Sequence, residues 1–291
     1  MPKLRYLIFN AIVTFGLMIN PNVSNGSNSP TGGRSAGMGH SSVTFTDFWS
    51  IQNNQAGLAG YSGIAAGFAY ENNFLVKELG LSSGAFIVPV EFGCFGLIYQ
   101  HFGYSAYSRS KLGLVYARKL GEKFSVGLQL DYLTTKVGED YGSKNNLTFE
   151  LGVLANLTPE LSLGAHVFNP INVKLEDEYD ERIPAIYKLG LSYSITNELL
   201  IAIETEKNMD YKPLLRGGLE YMVVDRASVR IGYSSVPAKT GSEKFSISTE
   251  LTFGFGLDLN RFKMDFAASW HQTLGWSPAV SFIFNFNKID Q

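Results

Sequence analysis

From about residue 64 to the C-terminus, apolar side chains alternate with polar or small ones at period two, the pattern of a strand with one apolar face. The clearest run is Phe245, Ile247, Thr249, Leu251, Phe253, Phe255, Leu257 and Leu259, interleaved with Ser246, Ser248, Glu250, Thr252, Gly254, Gly256 and Asp258. Fourteen such runs can be counted. They lie near 64–70, 79–88, 92–102, 110–120, 124–136, 146–157 and 161–169, then near 184–195, 198–207, 213–223, 227–236, 243–257, 262–271 and 276–286. No segment after residue 60 carries a helical period, so the expected fold is all-β.

The connections add a second regularity. Tight turns at Gly121–Lys123, Thr158–Glu160, Thr196–Glu198, Asp225–Arg226 and Asn260–Arg261 separate longer polar links. These links are Gly138–Asn145, Pro170–Ile183, Asn208–Lys212, Pro237–Ser242 and Gln272–Trp276, so short and long connections are expected to alternate strictly from about residue 100. Outer-membrane barrels segregate periplasmic turns from external loops in this way.

The same alternation suits a soluble sandwich, whose apolar face is the core, or a membrane barrel, whose apolar face meets lipid. Three features favour the barrel. An even strand number returns both termini to one side. Aromatic residues stand near strand ends, as at Phe102, Tyr104, Tyr107, Tyr221, Tyr233, Trp270 and Trp276, where girdles belong. Most runs also match the roughly 9–11 residues of a spanning strand. The expected fold class is a 14-stranded antiparallel transmembrane β-barrel with a short N-terminal plug-like segment.

Composition agrees. Of 291 residues only 17% are charged, against roughly 25% in soluble domains, while 30 are glycine and 13% aromatic. Disorder is excluded by the aromatics. A single cysteine, Cys94, excludes an internal disulfide framework, and a net charge of −2 gives no electrostatic case for nucleic acid. Lys3 and Arg5 precede an apolar run from Tyr6 to Ile19, too short to span but right for a secretory signal peptide over 1–25. Cleavage is expected between Asn22 and Ser27, and no lipoprotein cysteine follows. The domains expected are thus 1–25 signal peptide, 26–62 periplasmic or plug segment and 63–291 barrel, in the bacterial outer membrane with its lipid as partner.

The inward parity collects charges of both signs: Lys111, Asp131, Glu150, Lys188, Glu204, Glu206, Arg216, Glu220, Arg230, Glu250, Asp258 and Asp265. Facing lipid at the midplane, an Arg or Lys costs roughly 2–4 kcal/mol. Facing a lumen, these groups either pair to fix a partly filled interior or line a conduit.

Catalytic patterns are poor. Gly80-Leu81-Ser82-Ser83-Gly84 matches G-x-S-x-G, but that motif needs a strand-to-helix elbow and here falls among strands. His40, His101, His166 and His271 have no helical i, i+4 partner for zinc. Glu176, Asp177, Glu178, Asp180 and Glu181 cluster in the longest loop at a spacing that fits no calcium motif. No enzyme activity, cofactor or metal is expected.

Residues 32–60 carry a resemblance. Arg34, Gly37 and Gly39 lie in an R-x-A-G-M-G stretch, followed by an acidic position at Asp47 and by Asn54, Ala56 and Gly57 in an N-x-A-G-L-A motif whose usual proline is Gln55. This resembles the opening of PorV/PorQ-type outer-membrane proteins and, more distantly, of FadL-like transporters. The resemblance implies that the segment tucks into the periplasmic mouth as a partial plug. It implies a Bacteroidota envelope protein that serves as an accessory subunit of a multiprotein machine, such as type IX secretion or outer-membrane assembly, with outer-membrane or periplasmic proteins as partners. The alternative it implies is a FadL-like channel for small or hydrophobic substrates.

Overall fold

The computed structural model describes residues 28–138, 142–175, 182–209, 212–240 and 244–286. Residues 1–25, expected as a signal peptide, and the acidic stretch 176–181 lie outside them. Fourteen strands close into one antiparallel barrel: β1 (Ala65–Asn72), β2 (Gly80–Val90), β3 (Gly93–Tyr104), β4 (Tyr107–Leu120), β5 (Phe124–Val137), β6 (Ser143–Asn156), β7 (Leu161–Phe168), β8 (Ile186–Ser194), β9 (Leu199–Asn208), β10 (Leu214–Val224), β11 (Ala227–Thr240), β12 (Lys244–Leu259), β13 (Phe262–His271) and β14 (Gly275–Asn285). Each strand pairs with its neighbours in sequence. The seam between β1 and β14 is ladder-bonded from Ala65↔Asn285 to Glu71↔Ala279.

The two faces are inverted relative to a soluble protein. Along β3, Phe95, Leu97 and Tyr99 are exposed while Cys94, Ile98 and Gln100 are buried. Along β12, Leu251, Phe253 and Phe255 point outward while Glu250 and Thr252 are buried inside. An apolar exterior around a polar, charged interior is the signature of a transmembrane barrel.

The barrel has a turn end, where β1 starts and β14 finishes, and an opposite loop end. At the turn end the connections are tight and locally bonded. Thr158 Oγ1 accepts from the Glu160 and Leu161 amides, and Thr196 Oγ1 does the same for Glu198 and Leu199. Asn260 takes a left-handed φ of 63° in a two-residue turn, a conformation that asparagine tolerates.

Two expectations are corrected here. Strict alternation of connection length fails, because the loop-end link between β3 and β4 is only Ser105-Ala106, and the one between β13 and β14 spans only 272–274. Pro237–Ser242 is also mostly strand: β11 continues to Thr240 and β12 begins at Lys244, with Pro237 paired to Ile247. Proline has no amide N–H to donate to a ladder and is confined to strand positions where that donor would face no partner. Beyond Ser234, β11 has no ladder partner in β10, so a free edge accommodates it.

Residues 28–61 lie inside the barrel. They form α1 (Gly33–Gly37), α2 (Ser50–Asn53) and a 3-10 helix over Gln55–Gly60. Their apolar side chains Phe48, Trp49, Ile51 and Leu58 are buried against Ala65, Ile87, Ile98 and Val115 from the wall. The segment is not confined to the mouth: Tyr61 bonds Asn285 at the turn end, whereas Asn28–Pro30 reach the loop-end cavity.

Candidate functional site: the lumen and its inserted segment

Close approach between segment and wall depends on glycines at inward strand positions. A Cβ at Gly127 would strike Gln55, one at Gly164 or Gly190 would strike Val43, and one at Gly218 or Gly232 would strike Met38. On the segment side, Gly37 lies against Gly254, its Cβ position 2.9 Å from that Cα. Gly39 has φ 64°, and its amide donates to Thr252 Oγ1 at 3.0 Å. Side chains at these positions would hold the two backbones apart.

The remaining motif residues also meet the wall or stiffen the segment. Arg34 forks onto Glu220 through Nε at 2.9 Å and Nη2 at 2.6 Å, reaches Asp47 at 3.1 Å and lies 4.2 Å over the Phe45 ring. Asn54 Oδ1 accepts from the Ala56 amide at 3.2 Å, and its Nδ2 donates to the Val43 and Val153 carbonyls. Gly57 leaves room for the Phe45 carbonyl, which a Cβ would strike. Gln55, which stands where the resembling proteins have proline, donates to Gln129 Oε1 at 3.0 Å and Glu150 Oε2 at 2.9 Å.

Glu150 is a fully buried hub. Its carboxylate accepts from Lys111 Nζ at 2.7 Å and Gln129 Nε2 at 3.1 Å, and lies 2.8 Å from His166 Nε2. Asp131 accepts from Gln129 at 2.7 Å. Around the barrel, Glu220 and Asp265 both hold Arg230. Arg216 is shared between Glu204 at 3.5 Å and Glu206 at 3.1 Å, and Lys188 lies 3.9 Å from Glu206. Glu204 also accepts the Ser42 and Val43 amides, each at 2.8 Å. Asp258, half-exposed near the turn end, pairs with Lys263. Glu250 is buried and faces a cavity. These pairs satisfy charges whose burial alone would cost several kcal/mol each.

That cavity, about 750 Å³ counting its open mouth, lies at the loop end above the segment. Asn28, Ser29, Pro30 and His40 form its floor, and Glu71, Phe74, Leu81, Ile186, Glu206, Arg216, Val236 and Glu250 are among its walls. Sequence reasoning missed Glu71 and His40 as a facing pair, whose Nε2–Oε1 separation is 3.7 Å. The parity of β1 was the available signal for Glu71, since Ala69 and Ala65, two and six residues earlier, are buried inward. His40 is neutral: burial, with the charges of Arg216 and Lys188, pulls it from 6.5 down to about 3.

The serine of the G-x-S-x-G pattern sits near the start of β2, where Ser82 donates to the His101 carbonyl rather than to a base. His101 itself lies 2.9 Å from Ser110, and His271 accepts loop amides from Thr273 and Leu274. Among the described residues no three His, Cys, Asp or Glu side chains converge as metal ligands. The acidic loop residues lie outside the described residues.

Fold and lumen together define a closed transmembrane barrel filled by its own N-terminal segment, with a mixed polar and apolar cavity at one end. Among solved structures it is similar to the CymD monoaromatic hydrocarbon channel, with a TM-score of 0.69 and 13% identity over 89% of this chain and 98% of that one. It is similar to the Ralstonia pickettii toluene transporter TbuX (TM-score 0.65, 13% identity, 89% and 99% coverage). A Pseudomonas aeruginosa FadL homologue gives 0.63, 13% identity and 89% and 99% coverage. At these identities the likeness is one of fold. A scan of protein-family models and a search of curated protein sequences return no match.

Proposed function

We propose that the protein is a non-enzymatic outer-membrane channel of FadL-like architecture for small or hydrophobic molecules, exported by its signal peptide and oriented with the turn end toward the periplasm. The observation that carries this reading is the loop-end cavity standing directly on the inserted segment, an open pocket whose lining mixes apolar side chains with polar and charged groups. The shared fold with hydrocarbon channels supports it. Cells producing the barrel should take up toluene several-fold faster than cells without it. Equal uptake overturns the reading.

A second reading is favoured by a different observation. Lys111 and Glu150 are fully buried and locked to the segment through Gln55 at mid-lumen, which suits a barrel that does not conduct. In that reading the PorV/PorQ resemblance places the protein as an accessory subunit of an envelope machine. Purification from native membranes in mild detergent tests it: a stoichiometric large partner supports the subunit role, and a lone barrel removes it.

A further inference from the structure

The loop-end cavity holds more carboxyl groups than its own cations can pair. Arg216 and Lys188 are committed to Glu204 and Glu206. Among the described residues, Glu71 and Glu250 have no lysine or arginine within ion-pair distance, although both line the cavity and lie near enough to repel each other. Two desolvated carboxylates facing one space are costly until a cation joins them.

Independent of that charge, the floor of the cavity holds hydrogen-bonding groups with nothing to bond. Asn28 is 5% exposed and lines the cavity, and among the described residues neither its amide oxygen nor its amide nitrogen has a partner. Nδ1 of neutral His40 is likewise buried without a partner among the described residues. With its proton on Nε2 toward Glu71, that ring presents an acceptor at Nδ1. Pro30, Phe74, Leu81, Ile186 and Val236 give the walls an apolar part, beside the hydroxyls and amide of Ser29, Asn73, Ser234 and Ser269. A metal ion fits this set poorly, since among the described residues no trio of ligating side chains converges. A compact ammonium suits it well: it donates in three directions and needs only separated acceptors.

We infer that the loop-end cavity binds a small organic cation, a protonated primary amine with an apolar body, its head held by Glu71, Glu250 and the Asn28 oxygen. The assignment names a substrate class for the channel and to that extent rests on the channel reading.

Calorimetry on the full-length barrel in detergent tests it with three probes of matched shape: 2-phenylethylammonium, 2-phenylethanol and 3-phenylpropionate. The expected result is saturable one-to-one binding of the ammonium, at least tenfold tighter than the alcohol, with the carboxylate weakest. In an E71Q/E250Q variant that keeps heat-modifiable migration, ammonium affinity should fall at least tenfold while alcohol affinity holds. Because the three-probe ranking needs no variant, it stands even if that variant fails to fold. Equal binding of ammonium and alcohol, or a double variant that binds the amine unchanged, overturns the assignment. Toluene uptake by cells separates the two proposals. Faster uptake without amine preference removes the cation site and keeps the channel. Amine binding to a barrel that speeds no uptake keeps the site and removes the channel.

Discussion

At the scale of single residues, the lumen is organised around Glu150. Lys111→Met leaves a buried carboxylate short of its one close cation, and breaking such a pair costs about 3–5 kcal/mol. Lys111→Met combined with Glu150→Gln should cost clearly less than the sum of the two single changes, because no uncompensated charge remains. Urea midpoints of the refolded barrels check this double-mutant cycle. Gln55→Pro is expected to fold, because Asn54 before it is extended (φ −168°, ψ 104°), the conformation that proline demands of its predecessor. It removes the donors to Gln129 and Glu150 and should loosen the segment by about 1–3 kcal/mol, read as faster amide exchange over 50–60. His40 gives a pH dependence with a definite sign. Its value falls from 6.5 unfolded to about 3 in place, so its contribution is complete above pH 6.5 and drains away as pH falls toward 3. In a background with Trp270→Phe and Trp276→Phe, the undocking midpoint followed by Trp49 fluorescence should drop across that window, and His40→Asn should flatten the drop. The sequence revealed that Glu150 and Lys111 point inward. It did not reveal that Gln55 meets Glu150, since the two are 95 residues apart and no local pattern encodes a contact across a lumen.

At the scale of elements, the strands were readable almost throughout, every boundary falling within four residues of its expected place, because period two is imposed directly by lipid on one side and lumen on the other. Connections were less readable. Pro237 looks like a breaker in isolation, and only the shorter reach of β10 explains why the ladder runs through it. The fit between segment and wall lies between these cases. Inward glycines are visible in the sequence, but which backbone each one admits is not. Gly39→Ala puts a methyl group on a left-handed residue, at about 1–2 kcal/mol, and drives it into the Tyr233 carbonyl. The barrel ladder is untouched by this change. The variant should therefore keep heat-modifiable migration on a denaturing gel while its N-terminal segment becomes sensitive to added protease.

At the scale of the whole molecule, average hydropathy is the mean of two opposed faces, and the surplus of glycine and aromatics divides between the inside and the outside. Deleting residues 28–60 should convert a packed lumen into an open one, raising single-channel conductance in planar bilayers several-fold over the full-length protein; equal conductance would mean that the wall charges alone fill the lumen. The seam has a consequence for assembly. β1 and β14 are the first and last strands to emerge, and both touch the inserted segment: Gly67 makes room for Phe48, Ser281 accepts the Gly33 amide, and Asn285 accepts from Tyr61. The segment preceding the first strand thus reaches across the joint between the first strand and the last. A correctly registered closing pair keeps these bonds and a slipped pair would forfeit them, so the contents of the lumen favour one register at the seam over its neighbours.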